Sequence, residues 1–235
     1  MQKKRLNSNL KLGKIVIKDL PQRTVAIIGQ KGSGKTTAIR LMVRELDKLK
    51  LPVIVFDPTG AAVDADFFNV SIPAHPNDEV IDLFLGVIDE AWSEKAPLVI
   101  DISELNREEA SEMAAVVFPH LLKKKDGVVI VDEIPDLTPQ WGKWKSEELI
   151  RFNRKCRNRN IAFIFGTQRP ASVSKDVLAL ADVMLIMRLA WPGDMEAIEK
   201  ILKRKYDRQE IDATMQKISH FKAGEVYVVD FRTQG

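Results

Sequence analysis

Cysteine is nearly missing from this chain of 235 residues: Cys156 stands alone, and a single thiol excludes an internal disulfide. Histidine is scarce as well. His75, His120 and His220 lie far apart without metal-ligand spacing, so a structural zinc is not expected. Long hydrophobic runs are missing too. No apolar stretch approaches the roughly 20 residues of a membrane-spanning helix, and Leu6 to Leu12 is too broken by Asn, Ser and Lys to form a signal-peptide core. A cytoplasmic location, or travel inside a particle assembled there, is the expectation. Nor is there a strong excess of one charge. With 36 Lys and Arg against 33 Asp and Glu the formal net charge is +3, so only local clustering can argue for nucleic acid.

With 45% hydrophobic and 29% charged residues, the chain suits one large α/β domain with a full core. Short β-rich runs alternate with amphipathic helical runs, which predicts a mostly parallel central sheet with helices on both faces. The expected strands are Val25 to Gly29, Val53 to Asp57, Leu98 to Ile102, Val128 to Asp132, Ala162 to Thr167, Val183 to Arg188 and Val226 to Phe231. Three helical stripes read as core: Ile39, Met42, Val43 and Leu46; Ile81, Phe84, Leu85, Ile88 and Trp92; Ala110, Met113, Ala114, Val117 and Leu121. Ser146, followed by Glu147 and Glu148, reads as a helix start. Residues 1–14 are expected to form a basic N-terminal arm, and 15–235 a single domain.

Residues 29 to 36 read Gly-Gln-Lys-Gly-Ser-Gly-Lys-Thr, the GxxxxGKT (Walker A) pattern, between an apolar strand and a helical run. Strand, glycine-rich turn and helix start together aim backbone N–H groups and a helix dipole at one anion. Gly29, Gln30, Lys31, Gly32, Ser33, Gly34, Lys35, Thr36 and Thr37 are the expected ATP-binding residues. Lys35 is expected to reach the β- and γ-phosphate oxygens, and the Thr36 hydroxyl to ligate Mg²⁺.

Val-Val-Ile-Val-Asp-Glu, residues 128 to 133, delivers two carboxylates to the carboxyl edge of the sheet, as a Walker B strand does. Asp132 is the expected partner of the Mg²⁺ shell. Glu133 is placed to orient and deprotonate the attacking water, a role that a phosphate-transferring kinase does not need. Thr167-Gln168-Arg169-Pro170 ends another strand. Gln168 there can contact the γ-phosphate or the water; a polar turn closed by Pro170 is the other reading.

The ordered set of Gly-Gln-Lys-Gly-Ser-Gly-Lys-Thr, Val-Phe-Asp-Pro-Thr-Gly (55 to 60), Leu-Val-Ile-Asp-Ile-Ser (98 to 103), Val-Val-Ile-Val-Asp-Glu and Thr-Gln-Arg-Pro resembles the HerA and FtsK superfamily of DNA-translocating ATPases. Leu185 to Arg188 with Asp194, and Gly224 to Asp230, resemble later elements of the same superfamily. The resemblance implies a RecA-like (ASCE) P-loop core and an ATP site closed by a neighbouring copy. A homo-hexameric ring around double-stranded DNA, with an arginine supplied across the interface, is the usual assembly. Arg157 falls where the family places an arginine, Arg154 lies one turn earlier, and Arg188 is the alternative. A solvated or DNA-facing basic face, shared with Arg151, Lys155 and Arg159, is the other reading of Arg154 and Arg157.

The loop between Glu133 and Ser146 holds two tryptophans and two lysines, of which Lys143 and Lys145 are candidate phosphate contacts for DNA, while Trp141 and Trp144 read better as anchors. So early a phosphate loop leaves no room for the N-terminal barrel of the resembling helicases. That points toward viral genome packaging, or a plasmid or proviral motor with an unknown viral or conjugation partner, ahead of a HerA-type DNA-processing role. A small-molecule kinase and a non-hydrolytic nucleotide switch are the competing classes.

Overall fold

The computed structural model describes residues 9–60, 67–138 and 146–233. Its centre is an eight-stranded sheet. In chain order the strands of the fold are β1 (Leu10–Leu12), β2 (Ile15–Ile17), β3 (Thr24–Ile28), β4 (Val53–Asp57), β5 (Phe68–Ser71), β6 (Pro97–Asp101), β7 (Gly127–Val131), β8 (Ile161–Thr167), β9 (Val183–Ile186) and β10 (Tyr227–Asp230). The helices are α1 (Lys35–Lys48), α2 (Asp78–Glu94), α3 (Arg107–Leu121), α4 (Glu147–Lys155), α5 (Lys175–Leu178), α6 (Pro192–Leu202) and α7 (Arg208–Ser219). The large sheet runs β10-β9-β3-β8-β7-β4-β6-β5, parallel throughout except for β10 against β9.

The inner strands of the large sheet, β3, β4, β6, β7, β8 and β9, alternate their side chains between two cores, because successive Cβ atoms point to opposite faces. On one face Ala26, Ile28, Phe56, Ile100, Val131, Phe163 and Met184 meet helices α2 to α7. On the other Val25, Ile27, Val55, Ile130, Ile164 and Leu185 meet α1 and the β1–β2 hairpin. Helices thus cover both faces, as the sequence pattern requires, but very unequally. The three expected helical stripes are the buried faces of α1, α2 and α3, and the Ser146 hydroxyl accepts the Leu149 N–H at 3.2 Å as the cap of α4.

All seven expected strands form, with ends shifted by a residue or two. Three further strands do not announce themselves in the sequence. β5 is Phe-Asn-Val-Ser at the sheet edge, mostly exposed, and an edge needs no apolar run. Part of the span expected as an arm forms the first strand of the β1–β2 hairpin, with Leu10 and Ile17 buried in the core that α1 covers, while 1–8 lie outside the described residues. Gly13, at φ 58, makes the turn. No helix among the described residues is long and apolar enough to cross a membrane.

Candidate active site

The phosphate-loop pattern emerges from β3 at the carboxyl edge and is pinned on both sides. The Gly29 N–H donates to the Thr167 carbonyl at 3.1 Å, at the end of β8, and the Gln30 N–H to the Arg188 carbonyl at 2.9 Å, just past β9. Gly32 and Gly34 take left-handed angles, φ 76 and φ 102, that a side chain would strain. Gly34 is the N-cap of α1, so Lys35, Thr36 and Thr37 open a 14-residue helix whose first N–H groups lack partners within it. A cavity of about 500 Å³ lies over this end, lined by Gln30, Lys31, Gly32, Gly34 and Lys35 to Thr37, and by Thr59, Asp132 and Gln168 just past the ends of β4, β7 and β8.

β8 separates β3 from β7, yet Lys35 crosses that gap. Its buried Nζ forms an ion pair with Asp132 Oδ1 and lies 3.5 Å from Glu133 Oε2. The crossing is possible because β8 carries Gly166 at this point: a Cβ there would sit 2.6 Å from Asp132 Oδ1 and 3.3 Å from Lys35 Nζ. Asp132 also approaches Thr36, with Oδ2 3.4 Å from Oγ1. One hydroxyl and one carboxylate converging beside a phosphate cavity are hard oxygen donors of the kind that hold Mg²⁺ together with phosphates and water. The residues fit that ion.

Glu133 follows directly with left-handed backbone, φ 58 and ψ 62, a conformation costing a non-glycine residue about 1 kcal/mol. The turn aims its carboxylate at β8, where both oxygens are 3.1 Å from the Gln168 nitrogen and Oε1 is 3.3 Å from the Thr167 hydroxyl. Burial raises its pKa above the usual carboxylate value, against the opposing pull of Lys35 and the Gln168 N–H.

Two contributors escape a reading of motifs alone. Thr59 reaches the cavity because the buried Asp57 carboxylate accepts both its N–H, at 2.9 Å, and its hydroxyl, at 2.8 Å, folding the Asp-Pro-Thr-Gly turn. Thr167 ties Glu133 to β8 and also accepts the Arg169 N–H at 3.0 Å. The Thr-Gln-Arg-Pro turn is braced in turn by Asp194, buried at the start of α6, which pairs with Arg169 Nε at 3.1 Å and accepts the Ala171 N–H at 3.1 Å. Gln168 lines the cavity.

The three candidate arginines divide by position. Arg154, 4.0 Å from Asp176, and Arg157 are exposed, and Arg157 precedes β8 at the amino edge of the sheet. Seven residues of strand, about 20 Å, separate Arg157 from the phosphate loop of its own chain. Arg188 instead stands beside the loop, and its Nε is buried without a hydrogen-bond partner among the described residues. Lys143 and Lys145, with Trp141 and Trp144, lie outside the described residues.

No curated protein shows a sequence match to the chain. Among solved structures, the genome packaging NTPase B204 of Sulfolobus turreted icosahedral virus 2, in complex with ATPγS, matches with a TM-score of 0.66 at 18% identity, over 92% of this chain and 95% of that one. VirB4 of Thermoanaerobacter pseudethanolicus matches at 0.64 and 12% identity, over 89% and 87% of the two chains. The bacterial conjugative coupling protein TrwB matches at 0.62 and 10%, over 98% and 87%. The likeness shows the fold, a mostly parallel sheet with helices as in P-loop NTPases. A family model described as the central domain of the helicase HerA matches residues 6–233, and with nearly the whole chain inside that match the protein belongs to the HerA central-domain family.

Proposed function

We propose that this chain hydrolyses ATP at the Lys35–Asp132–Glu133 site and uses the energy, as a ring of identical copies, to move double-stranded DNA. The observation that carries hydrolysis is the position of Glu133: a carboxylate one residue beyond Asp132, near Lys35 yet turned away from the Thr36–Asp132 pair. A group there can accept a proton without spending its charge on the metal.

In this reading the N–H groups of the phosphate loop and the start of α1 cradle the β- and γ-phosphates, and Lys35 leaves the carboxylates to meet them. Thr36 and Asp132 hold Mg²⁺, which when bound neutralises charge on the phosphate oxygens. Glu133 takes a proton from water as the water oxygen bonds to the γ-phosphorus, and the bond to the bridging oxygen breaks to leave ADP. Gln168 senses the γ-phosphate from the end of β8. Arg157, too far from its own loop, serves the site of a neighbouring copy, with Arg154 beside it; Arg188 is the arginine placed to act within the chain.

A hexamer is the proposed ring, working in the cytoplasm or in a virion. The B204 proteins are described as genome-packaging and DNA-packaging enzymes and are covered over 95% and 96% of their chains; genome packaging is accordingly the proposed work, ahead of plasmid transfer. Lys143 and Lys145 are proposed DNA contacts. The test is ATPase turnover with and without double-stranded DNA, beside particle mass by light scattering with an ATP analogue and DNA. Stimulated turnover in a multimer is expected, and a monomer indifferent to DNA would overturn the motor.

A further inference from the structure

The buried side chains of α4 are Leu149, Ile150, Phe152 and Asn153, three apolar groups and one amide. Asn153 has no exposed surface, and a buried amide is costly unless its polar atoms are bonded. Both are. Its Oδ1 accepts the Thr24 hydroxyl at 3.1 Å, and its Nδ2 donates to the Val177 carbonyl at 3.4 Å. Apolar contacts are non-directional, whereas hydrogen bonds demand a particular angle and distance. Asn153 therefore fixes how α4 is set on its neighbours.

Thr24 is itself held at the foot of β3. Its N–H donates to Asp182 Oδ2 at 2.9 Å, and its carbonyl accepts the Asp182 N–H at 2.8 Å. Asp182 stands just before β9 and is clamped by Arg232, whose Nε and Nη2 each reach one of its oxygens at 2.8 Å, while Nη2 also bonds the Gln22 carbonyl at 2.7 Å. One chain of hydrogen bonds thus runs along the amino edge of the sheet, from the segment after β10, across the feet of β9 and β3, to α4.

The two elements it joins both bear on the site. β3 ends in the phosphate loop. Arg154 follows Asn153 directly, and Arg157 lies in the short turn of helix, Cys156–Arg159, that continues α4. We propose that Asn153 is a positioning residue: bonded to Thr24, it fixes the offset between the phosphate loop that a copy uses and the arginines that it lends to its neighbour. In a ring of identical copies every interface repeats that offset, so an error in it recurs at each site. This rests on the reading above that Arg157 serves a neighbouring copy.

Thr24→Val keeps the shape of the side chain and leaves Asn153 Oδ1 without its donor; Thr24→Ser keeps the bond. In Thr24→Val, turnover per assembled ring is expected to fall roughly tenfold to a hundredfold, as small misplacements do, with ATP affinity within about twofold of the parent. Thr24→Ser should stay near the parent. The double variant Thr24→Val with Asn153→Leu, an apolar pair of similar shape, should recover stability yet keep the loss of turnover. A bond that only stabilises the fold would leave turnover in the double variant at the parental value, and that result would overturn the proposal. Mixing separates the sites: Thr24→Val with Glu133→Gln should exceed the sum of the two, since one supplies intact acids and the other well-placed arginines. A mixture that stays at the sum would place the fault in the variant's own loop and overturn the proposal, provided that Arg157→Ala with Glu133→Gln does exceed its sum. If that control also stays at the sum, the reading of Arg157 as a residue lent to the neighbour is what fails, and the role of Asn153 falls with it.

Discussion

Both carboxylate oxygens of Glu133 lie 3.1 Å from the backbone nitrogen of Gln168. The acid beyond β7 is thus tied to the turn at the end of β8, and the same turn presents Gln168 to the phosphate cavity. A side chain that lines the cavity and an acid 3.5 Å from Lys35 therefore share one hydrogen-bonded unit, so a shift of either is transmitted to the other over a single contact.

Glu133→Gln is expected to lower ATPase turnover by about 10²- to 10⁴-fold, the range of a lost general base, while ATP binding persists. Its melting temperature should equal or exceed that of the parent at neutral pH, because the amide removes a buried charge and can still accept the Gln168 N–H. Turnover and thermal unfolding measured on one preparation check both. A variant with parental turnover would remove Glu133 from the mechanism.

The pH dependence has a definite sign. Burial raises the Glu133 pKa above the ordinary value of 4.5, and only the ionised form accepts a proton. Turnover should therefore decline as pH falls through a value above 4.5. For stability the sign is opposite: the penalty of burying the charge is fully present above the folded-state pKa and is relieved as pH falls through it. Glu133→Gln should lose that component. Comparing pH–stability curves of parent and variant isolates it, and identical curves would contradict it.

Lys35→Ala is expected to cost folding stability as well as ATP binding, because it leaves Asp132 buried without its cation. Removing one partner of a buried ion pair typically costs about 3 to 5 kcal/mol. The double variant Lys35→Met with Asp132→Asn should regain most of that stability while remaining unable to hydrolyse ATP. Chemical denaturation of the two proteins discriminates them.

Gly166→Ala inserts a methyl group 2.6 Å from Asp132 Oδ1. Overpacking of this kind costs about 1 to 3 kcal/mol, and the strain falls on the Lys35–Asp132 contact. Weaker ATP binding with a lowered melting temperature is the expected pair of effects. An unperturbed variant would show that β8 can yield at this point.

If Arg157 serves a neighbouring site, Arg157→Ala should bind ATP normally and lose turnover by about 10³-fold or more. Mixing it with Glu133→Gln should then restore part of the activity, since some interfaces would pair an intact arginine with an intact acid. Mixtures that never exceed the sum of their parts would return the role to Arg188, which stands beside its own loop.

The phosphate loop, the Asp132–Glu133 strand end and the helical stripes were legible because each is local. Glycine spacing fixes a turn, and apolar periodicity fixes which side of a strand or helix is buried. The β1–β2 hairpin was not, since two three-residue strands in a polar terminus carry too little pattern; burial of Leu10 and Ile17 against α1 is what makes them strands. Asp57 and Asp194 were visible only as parts of motifs. Their work, folding the Thr59 turn and bracing the Thr-Gln-Arg-Pro turn, depends on partners 2 residues and 23 residues away respectively.

By itself the sequence determined that a glycine-rich loop and a pair of acids stand at the carboxyl edge of a mostly parallel α/β sheet. Only the tertiary structure decided how they meet. Inserting β8 between β3 and β7 leaves Gly166 as the gap through which Lys35 reaches Asp132, and it gives Glu133 the Gln168 N–H as its anchor. The same folding set Arg157 a strand's length from its own loop and left Arg188 beside it. Strand order is a property of which surfaces bury each other best over the whole chain, and no local pattern encodes it.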